Sequence, residues 1–167
     1  MFDLGLQKEN MWFRYRAGAI IVEDGCVLLV TNSNEDYYYS VGGGVQWGES
    51  SEDAVRREVR EVREETGVDY EVDRLAVIHE NFFGENKGTL KGLECHEVAH
   101  YYLMKPRGSK ELHSNSITHG AKEIMTWIPI DELYKHKAFP TFLADYLAKR
   151  PEGIVHIVTH ERDGKKV

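Results

Sequence analysis

A chain of 167 residues with 41% apolar content is long enough for one domain with its own core. Its net charge of −7 argues against general affinity for nucleic-acid polymers, which rests on clustered Lys and Arg neutralising phosphates. The first dozen residues lack a signal peptide's basic start and apolar centre, and no apolar run approaches about 18 residues, so membrane insertion is not expected and a cytoplasmic location is.

In chain order, Phe13 to Asn32 forms two apolar runs around Asp24-Gly25, a strong hairpin signal. Cys26 and Cys95 fall singly inside predicted strands and read as buried thiols. Tyr37 to Tyr39 alternate sides of a short strand before a glycine loop at Gly42. A helix follows, which Ser50 or Ser51 can cap and Gly67 can end. Asp69 to Asn81 and Cys95 to Lys105 read as strands separated by a polar loop, Phe83 to Gly92, and Lys122 to Ile128 as another strand that Pro129 breaks. Ile130 to His136 and Thr141 to Lys149 are short helix candidates with Asp131 and Thr141 as caps, and Gly153 to Arg162 alternates like an edge strand.

The helix between the glycines carries the chemistry. At about 100° per residue, Val55, Val59, Val62 and Thr66 form a narrow apolar stripe. Glu58, Glu61, Glu64 and Glu65 border it, while Arg56, Arg60 and Arg63 cluster on the far side. Neighbouring carboxylates repel by a few tenths of a kcal/mol per pair, roughly, so something compensates. Arginine pairing on a solvated face is the commoner explanation; a hard divalent cation held by carboxylates and substrate phosphates is the other.

Read with its loop, Gly42 to Val68 resembles the signature of the Nudix (MutT-like) hydrolase family: Gly, five residues, Glu, seven residues, then Arg-Glu-apolar-x-Glu-Glu-x-Gly-apolar. Gly43, Glu49 and Gly48 to Ser50 match the first half; Arg60 to Val68 matches the second. Ten residues separate Glu49 from Arg60 where the family has seven, and the repeat Arg57 to Val62 is the source of the extra three. A forward count would make Arg57-Glu58 the Arg-Glu pair but put Val62 at an acid position; a backward count from Gly67 keeps every acid. Three residues advance a helix about 4.5 Å and stop about 60° short of a full turn, so Glu58 and Glu61 point similarly at different heights.

The resemblance implies an α/β fold of the α+β type, an α/β/α sandwich with a central mixed sheet and a catalytic loop-helix-loop, as one domain over residues 1–167 with its box at 43–68. It implies Mg²⁺, with Mn²⁺ as substitute, and hydrolysis of a pyrophosphate bond in a nucleoside diphosphate linked to another moiety. It implies Glu61, Glu64 and Glu65 as metal ligands with Glu58 as an extra acid, Gly43 and Gly44 for close backbone approach, and Glu49 as an organiser ion-paired to Arg60 or Arg57. Glu61→Gln is then expected to cost more activity than Glu58→Gln. The candidates for the base are Glu65, Glu97 and Glu123; Glu97 shares a strand side with Ala99, opposite His96 and His100. His79, His96, His100 and His119 show no compact ligand spacing.

A small nucleotide-type molecule is the expected partner, without nucleic-acid polymer or membrane, and a homodimer is allowed for. Tyr37, Tyr38, Tyr39, Phe82 or Phe83 could stack on a nucleobase, and Arg14 or Arg16 could meet a phosphate, although core packing is the better account of any single ring and surface charge the plainer one of the arginines. Two other readings stay open: a nucleotide sensor that lost turnover through the insertion, and a charged helical interaction module without metal.

Overall fold

A computed structural model describes residues 1–67, 69–112, 123–163 and 165–167, and for residues 64–66 the backbone alone. The strands are β1 (Gly5–Lys8), β2 (Met11–Ile20), β3 (Val22–Glu23), β4 (Cys26–Asn32), β5 (Tyr38–Tyr39), β6 (Gly42–Gly44), β7 (Val72–Gly84), β8 (Glu94–Met104), β9 (Glu123–Pro129), β10 (Ala138–Phe139), β11 (Val155–Arg162) and β12 (Lys165–Lys166). Helix α1 (Ser51–Thr66) follows β6, and α2 (Leu143–Lys149) follows β10.

The larger sheet runs β1-β2-β8-β7-β11-β12, with β6 on the end of β2; the smaller runs β10-β5-β4-β3, with β9 on β4. Both are mixed: β2 runs parallel to β8 and β7 to β11, while β7 and β8 are antiparallel. Alternation along β4 divides the core. Leu28 and Val30 join α1's Val55, Val59 and Val62, whereas Val27 and Leu29 join Leu143, Tyr146 and Leu147 of α2. Strands covered on both faces become nearly continuous apolar runs, which is why Ala17 to Ile21 and Cys26 to Val30 read as they do. An α+β sandwich with a central mixed sheet is therefore what the chain builds.

Several boundaries differ from expectation. The Asp24-Gly25 turn is present, both residues at positive φ, but the hairpin it closes joins only β3 and β4; β2 leaves at Ile21 for the other sheet, drawn by ten paired residues of β8. Phe82 and Phe83 lie in β7 rather than in a loop, because β8 and β11 pair with it as far as Gly84. Ile130–Lys135 is a 3₁₀ helix without an Asp131 cap, and Thr141 does not cap α2; its hydroxyl donates to Glu161 at 2.5 Å instead. β11 is paired to β7 along its whole length, and β12 covers only its last two residues. Lys122, the predicted start of β9, lies outside the described residues. Among the described residues, no helix is long and apolar enough to cross a membrane.

Candidate active site

Both ends of α1 are punctuated as the sequence asks. Ser50 accepts from the Asp53 amide at 3.1 Å while Asp53 accepts back from Ser50, and Gly67 ends the helix at φ 70°. Ser51 pins the helix start to the large sheet: its Oγ lies 2.8 Å from both His100 Nδ1 and Tyr102 Oη. His100 also meets Tyr15 Oη at 3.0 Å, and burial pushes its pKa below the usual histidine value.

With the helix fixed, its second and third turns face β6. Arg57 reaches across the gap. Its guanidinium donates to Glu49 Oε1 at 2.7 Å, to the Gly44 carbonyl at 2.9 Å and to Glu58 Oε1 at 2.5 Å. Glu49 in turn accepts the Gln46 amide at 2.7 Å, closing the loop on itself. The Arg57 bond, first, and the Gln46 amide hold Glu49 below the usual carboxylate range, while Arg57 is raised above its ordinary value, chiefly through Glu49.

The arginine that meets Glu49 is thus Arg57. Arg60, carried to that role by counting back from Gly67, is exposed, because it lies three residues further along the helix and turned away from the loop. Val62 faces inward with Val55 and Val59, each at most 4% exposed. Among the described carboxylates of α1, Glu58 is the one seated against the loop: a Cβ on Gly43 would overlap its oxygens, so glycine there makes the seat. Its side chain is only 16% exposed, and burial raises its pKa against the pull of Arg57. Glu61 is 60% exposed with an oxygen 3.9 Å from Arg57 Nη1. The side chains of Glu64 and Glu65 lie outside those described, as does His119.

Can this donor set hold a divalent cation? The donors are all carboxylate oxygens, which suits Mg²⁺ or Mn²⁺ rather than a softer metal. Among the described residues no three such groups converge into a closed cage. Mg²⁺ does not ask for one, since it usually keeps several waters and takes one or two carboxylates plus substrate phosphates. The described carboxylates that could serve are Glu58 in its glycine seat and Glu61 one turn on.

Glu97 is buried and bound by Arg14, its neighbour across β2 and β8, whose Nε donates to it at 2.8 Å. Glu123 accepts from Tyr39 Oη at 3.2 Å; burial, first, and this carboxylate push Tyr39 up to about 12. Phe82 is stacked on both faces, by His96 at 4.2 Å and His160 at 4.9 Å between centroids, which leaves no ring face for a nucleobase. Phe83 lines a groove of about 750 Å³ that includes no residue of the box. Tyr37 meets Phe139 edge-on, and Tyr38 likewise meets His136.

Some residues of this neighbourhood escaped the sequence reading. Asp3 packs its carboxylate against Gly44 and bridges to Gln46, and nothing near the start of the chain signals it. Ser51 was visible only as a cap. Arg16, read as a phosphate contact or as surface charge, is instead buried against Ser40 and Tyr101.

The NUDIX domain family model matches residues 12–149, spanning β2, the box and α2. The chain belongs to the Nudix family. Membership makes it a pyrophosphohydrolase, a hydrolase acting on phosphorus anhydrides. A MutT-like protein of Streptomyces ambofaciens is 30% identical over 122 residues, covering 73% of this chain and 67% of that one. A MutT protein from Bacillus halodurans shares the fold at 18% identity and a TM-score of 0.64, covering 92% of this chain and 94% of that one. An ADP-ribose pyrophosphatase from Streptococcus suis does so at 20% identity and 0.52, covering 87% and 98%.

Proposed function

We propose that this Nudix protein hydrolyses a pyrophosphate bond in a nucleoside diphosphate linked to another moiety, with Mg²⁺ as cofactor and Mn²⁺ as substitute. The observation that carries the reading is the Arg57 fork, which ties Glu49, the Gly44 carbonyl and Glu58 into one unit at the glycine strand. A solvated surface arginine would not organise a loop in this way. Neighbours of the same fold include an ADP-ribose pyrophosphatase and a UDP-X diphosphatase, substrates that share a nucleoside diphosphate.

Glu58 and Glu61 would hold the cation, with Glu64 and Glu65 completing its shell from the next turn. When bound, the cation supplies charge neutralisation at the phosphates and lowers the pKa of attacking water. Arg57 and Glu49 keep the glycine strand fixed so that its backbone can approach the substrate. Glu97 already accepts from Arg14, so we assign it to orienting that arginine, and we assign proton removal to the box carboxylates, Glu65 among them.

A panel of nucleoside triphosphates, ADP-ribose, dinucleoside polyphosphates and nucleotide sugars, assayed with Mg²⁺ and with Mn²⁺, tests the activity; no turnover of any would favour the sensor reading. For the register, Glu58→Gln is expected to lower kcat on the order of 10²-fold and Glu61→Gln to cost distinctly less. This reverses the order expected from the motif alone, because Glu58 is the carboxylate seated in the loop. Near-full activity of Glu58→Gln would restore the backward count.

A further inference from the structure

A guanidinium inside a protein is costly unless its donors and its charge are both answered. Arg16 is 7% exposed, and no carboxylate lies within 4.0 Å of it among the described residues. Its partners are neutral oxygens: Ser40 Oγ and Tyr101 Oη at 3.1 Å, the Ser40 carbonyl at 2.9 Å and the Gly42 carbonyl at 3.4 Å. Three of these four belong to residues 40–42, the stretch that leads into β6.

That segment needs support. β6 is three glycines paired, among the described residues, with β2 alone, and glycine neither restricts its own backbone nor packs a side chain. Flanking ladder bonds run from Ala19 to the Val41 carbonyl at 2.8 Å and from Val45 to the Tyr15 carbonyl at 3.0 Å. Antiparallel alternation then turns the carbonyls of Gly42 and Gly44 away from β2, toward the free edge. Two arginines take them. Arg57 caps Gly44 from the helix, and Arg16 caps Gly42 from beneath. Between the two capped carbonyls sits Gly43, the seat of Glu58.

Arg16 is itself held in place. Tyr101, opposite Gly18 in the β2–β8 register, lays its ring where a Gly18 Cβ would come within 2.5 Å of Cε1, and this brings its hydroxyl under the guanidinium. Glu97 and, after it, Glu58 favour the Arg16 charge electrostatically without bonding to it.

We propose that Arg16 is a positioning residue for the candidate metal site: a buried strut that fixes the glycine strand, and so sets where Glu58 stands. The inference rests on the reading of Glu58 as a metal ligand. Lysine cannot replace it fully, because one ammonium cannot reach oxygens spread over a planar fork.

The test compares full-length wild type with Arg16→Met, Arg16→Lys and Tyr101→Phe, reading hydrogen exchange across residues 40–48 without metal and Mn²⁺ affinity by the EPR signal of free Mn²⁺. Arg16→Met, folded by circular dichroism, is expected to exchange on the order of tenfold faster across 40–48, with 72–84 unchanged, and to bind Mn²⁺ on the order of tenfold more weakly. Arg16→Lys should recover part of both, and Tyr101→Phe should shift both the same way by less. Folded Arg16→Met with wild-type exchange across 40–48, or with a loosened strand but wild-type Mn²⁺ affinity, overturns the proposal. Should Arg16→Met fail to fold, Arg16→Lys and Tyr101→Phe decide by the same two readouts. Absence of Mn²⁺ binding in the wild type overturns the metal reading instead, and the exchange measurement alone then decides Arg16.

Discussion

Arg57 directs one planar fork at a carboxylate that organises the loop, a backbone carbonyl and a carboxylate seated on glycine. No other side chain delivers parallel donors at that spacing, so Arg57→Lys should keep the fold and lose activity on the order of 10²-fold, read as kcat on any substrate the panel identifies. A second residue-scale expectation concerns pH. Thr159 uses its single hydroxyl proton on Asn81 at 2.8 Å, so His79 Nε2 must be the donor to Thr159 at 2.7 Å. Its Nδ1 is then bare, buried and without a partner among the described residues, and burial lowers the pKa to about 4. Unfolded, the ring titrates near the ordinary value of about 6.5. The unfolded chain therefore binds the proton first as pH falls. Stability is complete above about 6.5 and lost progressively toward 4, by about 3 kcal/mol from this group. Thermal melts between pH 4 and 7 should show that acid limb, and His79→Leu should flatten it.

Helix α1 and strand β6 work as one element, and their glycines differ in what they tolerate. A Cβ on Gly43 would meet the end of a flexible glutamate, which can swing aside; a Cβ on Gly42, at φ 146°, would meet the backbone of Ala17 and Gly18. Gly43→Ala should thus melt close to wild type yet lose activity on the order of 10²-fold, whereas Gly42→Ala should melt well below it. Parallel melting curves and kcat values for the pair would check this; equal destabilisation would contradict it. The existence, caps and buried valines of α1 were legible because 3.6-residue periodicity and capping chemistry are local. Which arginine meets Glu49 was not: Arg57 and Arg60 differ by one short turn, and only the distance across to β6 chooses between them. Likewise Arg16 and Asp3 carry no local signal, since their partners are brought by strand pairing from 24 or more residues away and from the start of the chain.

At the scale of the molecule, two mixed sheets and two helices hold a carboxylate-lined helix against a strand of bare backbone. The strand runs were readable from composition, but their partners were not: β2 reads as a hairpin arm with β4 and instead pairs with β8, because a long-range parallel ladder outweighs a two-residue turn. The same architecture concentrates negative charge at one place in a chain already at −7, so the metal-free protein should carry repulsion at the box that Arg57 offsets only in part. A cation that binds only the folded chain relieves it and stabilises by mass action, about 1.4 kcal/mol at a tenfold excess over Kd. For a domain of this size that is roughly 3–6 °C in Tm. Mg²⁺ and Mn²⁺ should each raise the melting temperature in a saturable way, and Glu58→Gln should remove most of the rise while Glu52→Gln, whose carboxylate pairs with Arg56 at 2.6 Å on the exposed face, leaves it intact. A rise unaffected by Glu58→Gln would move the site along the helix toward Glu64 and Glu65; no rise at millimolar metal, with or without nucleotide, would leave the acids of α1 as a salt-bridged surface.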